Sequence, residues 1–186
     1  MSKITLTGFA LVSVLFFGNS SQNYAVQPSQ NASDGSTGTL QKMIVEDGSV
    51  TLNLDLNGLN GSNDLTTRPV TLQFAAGTNS FLPILVLNDQ LRSADPGSIA
   101  LVPQGQPVSL LPPLLAASLK QLMVEKLPAD SAFDMAVRDA KTGFTFFKIE
   151  GHQYNYDARR QLLDVQGGRL LMSKEFAAAL GRPADT

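Results

Sequence analysis

From Ser49 to Leu56 the chain alternates: Val50, Leu52, Leu54 and Leu56 are apolar, and Thr51, Asn53 and Asp55 between them are polar. An extended backbone points successive side chains to opposite faces, so a repeat of two predicts a strand with one buried face. Leu40–Glu46 precedes it across the turn Asp47-Gly48, and Arg68–Ala76 follows the loop Asn57–Asp64, with Val70, Leu72 and Phe74 on one side. Phe81–Leu87 and Ser98–Val102 read as further strands around the turn Ala94-Asp95-Pro96-Gly97. Pro83 has no amide hydrogen to give a ladder, which predicts an edge or bulged strand there.

The pattern changes at Leu111. Pro112 and Pro113 suit a helix start, and Leu114, Leu115, Leu119 and Leu122 fall at helical spacing, which predicts a helix over 114–122; Met123–Leu127 fits a strand equally well. Period-two segments then return. Phe133–Arg138 and Gly143–Glu150 flank the turn that Asp139 opens, and His152–Tyr156 and Gln161–Val165 flank Asp157-Ala158-Arg159-Arg160. Gly167-Gly168 predicts one more tight hairpin, leading into Arg169–Met172. Ser173 is a good N-cap for a two-turn helix over 174–180, with Glu175 in its first turn, Gly181 after its end and Pro183 beyond. A helix that short must dock on something, and Met172, Phe176 and Leu180 supply the stripe. The expected fold is mainly β: a sandwich or partly open barrel of about 9–11 short antiparallel strands with two short helices.

The ends of the chain differ in kind. Lys3 precedes an uncharged apolar run through Phe17, the n-region and h-region of a secretory signal peptide. The run is about 14 residues, short of the roughly 20 that a spanning helix needs. The segment 1–25 is therefore expected to be a signal peptide, 26–39 a polar flexible linker, and 40–186 the β-rich domain. Export places the protein outside the cytoplasm, with no membrane contact beyond the leader.

Composition narrows the chemistry. Hydrophobic residues make up 43% of the chain, enough to build a core. Cysteine is absent, which excludes disulfides, thiolate nucleophiles and Cys-ligated metals. The formal charge of −2 offers no basic footprint for a phosphate backbone, so nucleic acid is not an expected partner. Walker, GxGxxG and Gly-x-Ser-x-Gly patterns are all missing, and no cofactor is expected.

With Arg138–Glu150, Tyr156-Asp157, Gly167-Gly168-Arg169-Leu170-Leu171 and Ser173–Pro183 laid out, the C-terminal third to half of the chain resembles a segment of uncharacterised exported β-rich proteins of bacteria, cyanobacteria among them. In those proteins further β-rich sequence usually follows, whereas this chain stops at Thr186, as expected of a short or truncated member. The resemblance carries no activity with it.

Candidate chemistry gathers around the single histidine. Glu150, His152, Asp157 and Asp164 could ligate a metal or act as acid and base if Glu150 and His152 shared one strand face. Gly151 between them predicts a break that spoils that alignment. Asp55, Asn57, Asn60 and Asp64 superficially suggest a calcium loop, but Leu59 and Asn60 stand where an EF-hand needs an oxygen ligand and glycine. Phe144, Phe146 and Phe147 read as core, while Tyr154 and Tyr156 become a ligand face if they lie exposed. No catalytic or metal-binding residue is assigned; the candidate ligand-binding set is Glu150, His152, Tyr154 and Tyr156. The expected function is that of an exported, non-enzymatic surface-structural or adhesive module with an unknown extracellular or cell-surface ligand. The alternative is a small extracytoplasmic hydrolase using acidic residues near His152.

Overall fold

The computed structural model describes residues 3–12, 38–45, 47–60, 69–105 and 108–182, of which 3–12, 69 and 108 are described as backbone alone. In chain order the elements are β1 (Lys3–Val12), β2 (Leu40–Val45), β3 (Ser49–Asp55), α1 (Leu56–Asn60), β4 (Pro69–Ala76), β5 (Leu82–Leu87), β6 (Gln90–Ala94), β7 (Gly97–Pro103), α2 (Pro113–Ser118), β8 (Leu122–Lys126), β9 (Met135–Asp139), β10 (Thr145–Glu150), β11 (Gln153–Asp157), β12 (Leu162–Met172) and α3 (Lys174–Ala179). The protein is mainly β, as its alternation predicts.

Two antiparallel sheets share one core. In the larger, β3, β4, β7, β8, β9, β10 and β12 follow one another edge to edge and curl, and β1 pairs with both β3 and β12. The smaller sheet, β2-β5-β6, joins through the end of β1 and through a bridge in which Phe81 and Ser98 exchange backbone hydrogen bonds of 2.7 and 2.8 Å. Gly97 sits at that corner because nothing larger fits: a Cβ there would lie 2.3 Å from the Phe81 carbonyl oxygen. Met43, Ile84 and Val86 of the smaller sheet pack in the same cluster as Leu52, Leu72, Val124, Val137 and Val165 of the larger. Period-two alternation puts these side chains on the inner faces.

Several expectations shift by a few residues and some change in kind. The helix expected over 114–122 is shorter: α2 covers Pro113–Ser118, a 3₁₀ turn follows at Leu119–Gln121, and Leu122 already begins β8. The loop after β3 starts as the helical turn α1, with Asp55 Oδ1 accepting from the Asn57 amide at 3.0 Å. β6 is an additional strand, reached by a two-residue turn at Asn88-Asp89 with φ of 50° and 61°. A type I′ hairpin turn needs positive φ at both central residues, and Asn and Asp tolerate it.

The hairpin expected at Gly167-Gly168 is absent. β12 runs through that pair without reversing, its first half on β11 and its second on β10. The partner arm breaks at the matching place, where Gly151 has φ +69° opposite Gly167 at φ +76°. β10 and β11 are thus two halves of one bent arm, and the bend turns the outer half toward β6. Both glycines are bend residues rather than turn residues.

α3 forms as its cap residues predict: Ser173 Oγ accepts from the Phe176 amide at 2.9 Å. Phe176 is fully buried, edge-on to Phe146 at 5.1 Å and Phe147 at 5.5 Å, and Phe144 packs against Phe146 at 4.9 Å. Phe146 and Phe147 lie in the core and Phe144 packs against it, as expected. The segment Lys3–Val12, within the expected signal peptide, is paired as β1, whereas most of the expected linker lies outside the described residues. Among the described residues no helix is long and apolar enough to cross a membrane, which says nothing of strands.

Candidate functional site

On β8 the inward positions are Leu122, Val124 and Lys126, so the sequence carries an ammonium onto the core face at the strand's end. Burying a charge is costly unless it is paired and hydrogen-bonded. The partner is Asp134, the last loop residue before β9, whose Oδ1 lies 2.6 Å from Lys126 Nζ; the Leu127 carbonyl takes a second bond at 3.1 Å. Lys126 stands opposite Met135 in the β8–β9 register, so Asp134 falls just beyond it.

β10 flanks β9 on its other side, and its bend at Gly151 delivers two more groups to the same carboxylate. His152 Nε2 and the Tyr154 hydroxyl each approach Asp134 Oδ2 at 2.7 Å, and the two rings stand edge to face 4.9 Å apart. The side chains of Lys126 and His152 are 9% and 6% exposed against 39% for Asp134, so the carboxylate is the part of this hub that solvent reaches. His152 Nδ1 is buried with no hydrogen-bond partner.

Electrostatics follow from that packing. Burial pushes the Asp134 carboxyl up, but hydrogen bonds from Lys126 and Tyr154, the Lys126 charge and the His152 contact outweigh it and hold Asp134 below the ordinary carboxylate range. Burial first, and then the Asp134 carboxylate that its hydroxyl serves, drive Tyr154 far above the ordinary phenol value. Tyr154 stands as the hydroxyl donor to Asp134 Oδ2.

The hub forms one wall of an open groove of about 700 Å³. Leu91, Arg92, Ser93 and Ala94 of β6 face it from the smaller sheet, with Ala129 of the β8–β9 loop and Gln153 completing the rim. Arg92 is exposed and enters no ion pair among the described residues. The groove therefore combines a free guanidinium, an amide, two hydroxyls and one edge of a shared carboxylate.

The predicted site residues separate. His152 and Tyr154 meet on Asp134. Glu150 pairs instead with Arg169, directly across the β10–β12 ladder at the surface. Tyr156 is half-buried and its hydroxyl contacts Met43 Sδ at 3.3 Å, bridging the two sheets; burial first, then Asp89 and Asp157, raise its pKa. Asp157 closes its own turn through the amides of Arg159 and Arg160 at 3.0 and 3.2 Å, and Asp164 bonds Gln166. The break expected at Gly151 is present, and it keeps Glu150 and His152 apart. No group of three or more metal-ligating side chains occurs among the described residues, and Asp64 of the suggested calcium loop lies outside them.

Lys126, Asp134 and Arg92 were not singled out by sequence. A signal for Lys126 exists: a lysine in register with Leu122 and Val124 on a half-buried strand must find a counter-charge. Asp134 has no such signal, since nothing local distinguishes it from Asp130. No family model, curated protein or solved structure matches the chain, so the groove and its hub rest on their own geometry.

Proposed function

We propose that the protein is an exported, non-enzymatic β module that binds a polar ligand in the groove between β6, the β8–β9 loop and β11. The observation that carries this reading is the Asp134 hub. Its cation, imidazole and hydroxyl are all committed to one carboxylate, which fixes the groove wall, while Arg92 opposite is left free to engage a ligand. A pre-ordered wall lowers the ordering cost of binding. Export is supported by the apolar, signal-like N-terminus and by the resemblance of the C-terminal third to half of the chain to uncharacterised exported proteins of bacteria.

Hydrolysis has less support. His152 is not among the residues that line the groove and its Nδ1 is buried, and Glu150 pairs with Arg169 at the surface.

The test is a thermal-shift screen of mono- and oligosaccharides, short peptides and small carboxylates, followed by titration of hits into wild type and Arg92→Ala. Binding should weaken by about tenfold or more in the variant, the loss of one charge-assisted contact. Hits that ignore Arg92→Ala would move the site elsewhere. Turnover of any screened ester, peptide or glycoside by wild type, abolished in Asp134→Asn, would replace the binding reading with an enzymatic one.

A further inference from the structure

We propose that the outer face of the larger sheet carries a second binding site, for a small phosphate monoester with an apolar body, at the Leu122 end of β8. An open groove of about 510 Å³ lies there, within the roughly 300–1,000 Å³ usual for small-ligand sites. It shares no residue with the groove beside Asp134.

Two cations define it. β8 and β9 pair antiparallel with Leu122 opposite Asp139, and one further bond, from the Ala140 amide to the Gln121 carbonyl at 2.7 Å, carries the ladder past its end. The next residue on each side is a lysine: Lys120 in the 3₁₀ turn and Lys141 in the turn that Asp139 opens. Both line the groove, both are exposed, and neither enters an ion pair among the described residues. Like charges at facing positions destabilise a strand pair. An anion held between them removes that cost.

The surrounding carboxylates do not supply it. No aspartate or glutamate is among the described residues that line the groove. Asp139 is buried and serves the Ser118 hydroxyl and the amides of Lys141 and Thr142. Glu125, further along the outer face, pairs with Arg138 at 2.6 Å.

The rest of the groove specifies the ligand. Thr78 and Asn79 offer a hydroxyl and an amide from a turn pinned to β7, where the Gly77 amide bonds the Ala100 carbonyl at 2.8 Å and Ser80 Oγ accepts from the Ala100 amide at 3.1 Å. The floor is apolar. Ala100, Val102 and Met123 turn outward because their neighbours Ile99, Leu101, Leu122 and Val124 turn into the core, and Val102 is 47% exposed. An ammonium is a compact point charge with three rotatable donors, which suits a tetrahedral phosphate, whereas a planar carboxylate is matched best by the guanidinium fork. A phosphate monoester carries about −1.5 to −2 charge at neutral pH, enough to answer both lysines.

Phenyl phosphate titrated into the full chain at low salt, followed by calorimetry and by melting temperature, tests the site. Saturable binding is expected, weakening as salt rises because exposed charges are screened. Lys120→Gln and Lys141→Gln should each weaken it about tenfold or more, and the double variant should abolish it. Arg92→Ala, in the other groove, should leave it unchanged. Without ligand, neither lysine variant should melt below wild type, since a repulsion is removed, so lost binding is not lost folding. Inorganic phosphate, which lacks the apolar body, should bind more weakly, and benzyl alcohol, which lacks the charge, should not bind.

No saturable binding up to about 10 mM overturns the site. So does binding that survives in the double lysine variant or is lost in Arg92→Ala, and so does a lysine variant that melts below wild type. Equal affinity for inorganic phosphate, or tighter binding of benzoate, overturns the assignment of a phosphate monoester.

Discussion

Lys126 needs Asp134 more than Asp134 needs Lys126, because the ammonium is buried and the carboxylate keeps an edge in water. Removing Asp134 strands a buried ammonium, whereas replacing Lys126 by an apolar group of similar shape leaves a carboxylate that water, His152 and Tyr154 still serve. Asp134→Ala should therefore lower unfolding stability by about 2–3 kcal/mol, and Lys126→Met by less than about 1 kcal/mol. Urea denaturation measures both, and the reverse order would show that the hub does not hold the wall. Acid should act on the same residue. Asp134 is held low as described, and Asp139 is too: burial pushes it up, but the Ser118 hydroxyl and the amides of Thr142 and Lys141, at 2.8 and 2.9 Å, prevail. A carboxyl whose folded pKa lies below its unfolded value of about 3.9 stabilises fully above that value and loses the contribution as pH falls through the folded one. The contribution of these two groups to the melting temperature should thus be level from pH 5 to 7 and decline below about pH 4, with a shallower decline in Asp139→Asn. His152 and Tyr154 were conspicuous in the sequence as rare residue types. Their common partner was not, because the contacts span 18 and 20 residues and depend on β9 lying between β8 and β10.

At the scale of elements, two glycines make different demands. Gly151 needs its positive φ and has no atom within 4 Å of a would-be Cβ, so Gly151→Ala should cost about 1–2 kcal/mol from backbone conformation alone. Gly97 has the opposite problem: a Cβ would strike the Phe81 carbonyl and Pro83 Cδ, both held at the corner where the sheets join. Gly97→Ala should be the more damaging, at about 3 kcal/mol, since backbone must move. Chemical denaturation of the pair gives the comparison; equal losses would argue against the corner as a rigid joint. The alternation in β3 and β4 and the Ser173 cap were readable from sequence because each depends on neighbours a few residues away. Gly167-Gly168 is ambiguous in sequence for a physical reason: a tight turn and a bend within a strand both ask for positive φ, and only the pairing of β12 with both halves of the β10–β11 arm separates them. Asn88-Asp89 carried a usable turn signal, and with it β6 and one side of the groove.

For the whole molecule, both sheets contribute to one hydrophobic cluster, and the Phe81–Ser98 bridge and the Tyr156–Met43 contact cross between them. Unfolding should accordingly be a single cooperative event, with equal calorimetric and van't Hoff enthalpies; a separate early transition for β2, β5 and β6 would contradict a shared core. The N-terminus is where the two levels of description diverge most. Its apolar, weakly charged composition suits both a leader and a buried strand, and hydropathy responds to the same property in either case. Sequence by itself determined the class of fold, the identity of most strands, the C-terminal helix and its cap, and the assignment of Phe144, Phe146 and Phe147 to the core. All of these are set by local periodicity, turn chemistry and capping, which act over a few residues. Only the tertiary structure decided that β1 bridges β3 and β12, that Gly151 and Gly167 bend one long arm, and that Lys126, Asp134, His152 and Tyr154 converge beside Arg92. Those outcomes depend on which strands become neighbours, and strand pairing joins residues whose separation along the chain leaves no local trace.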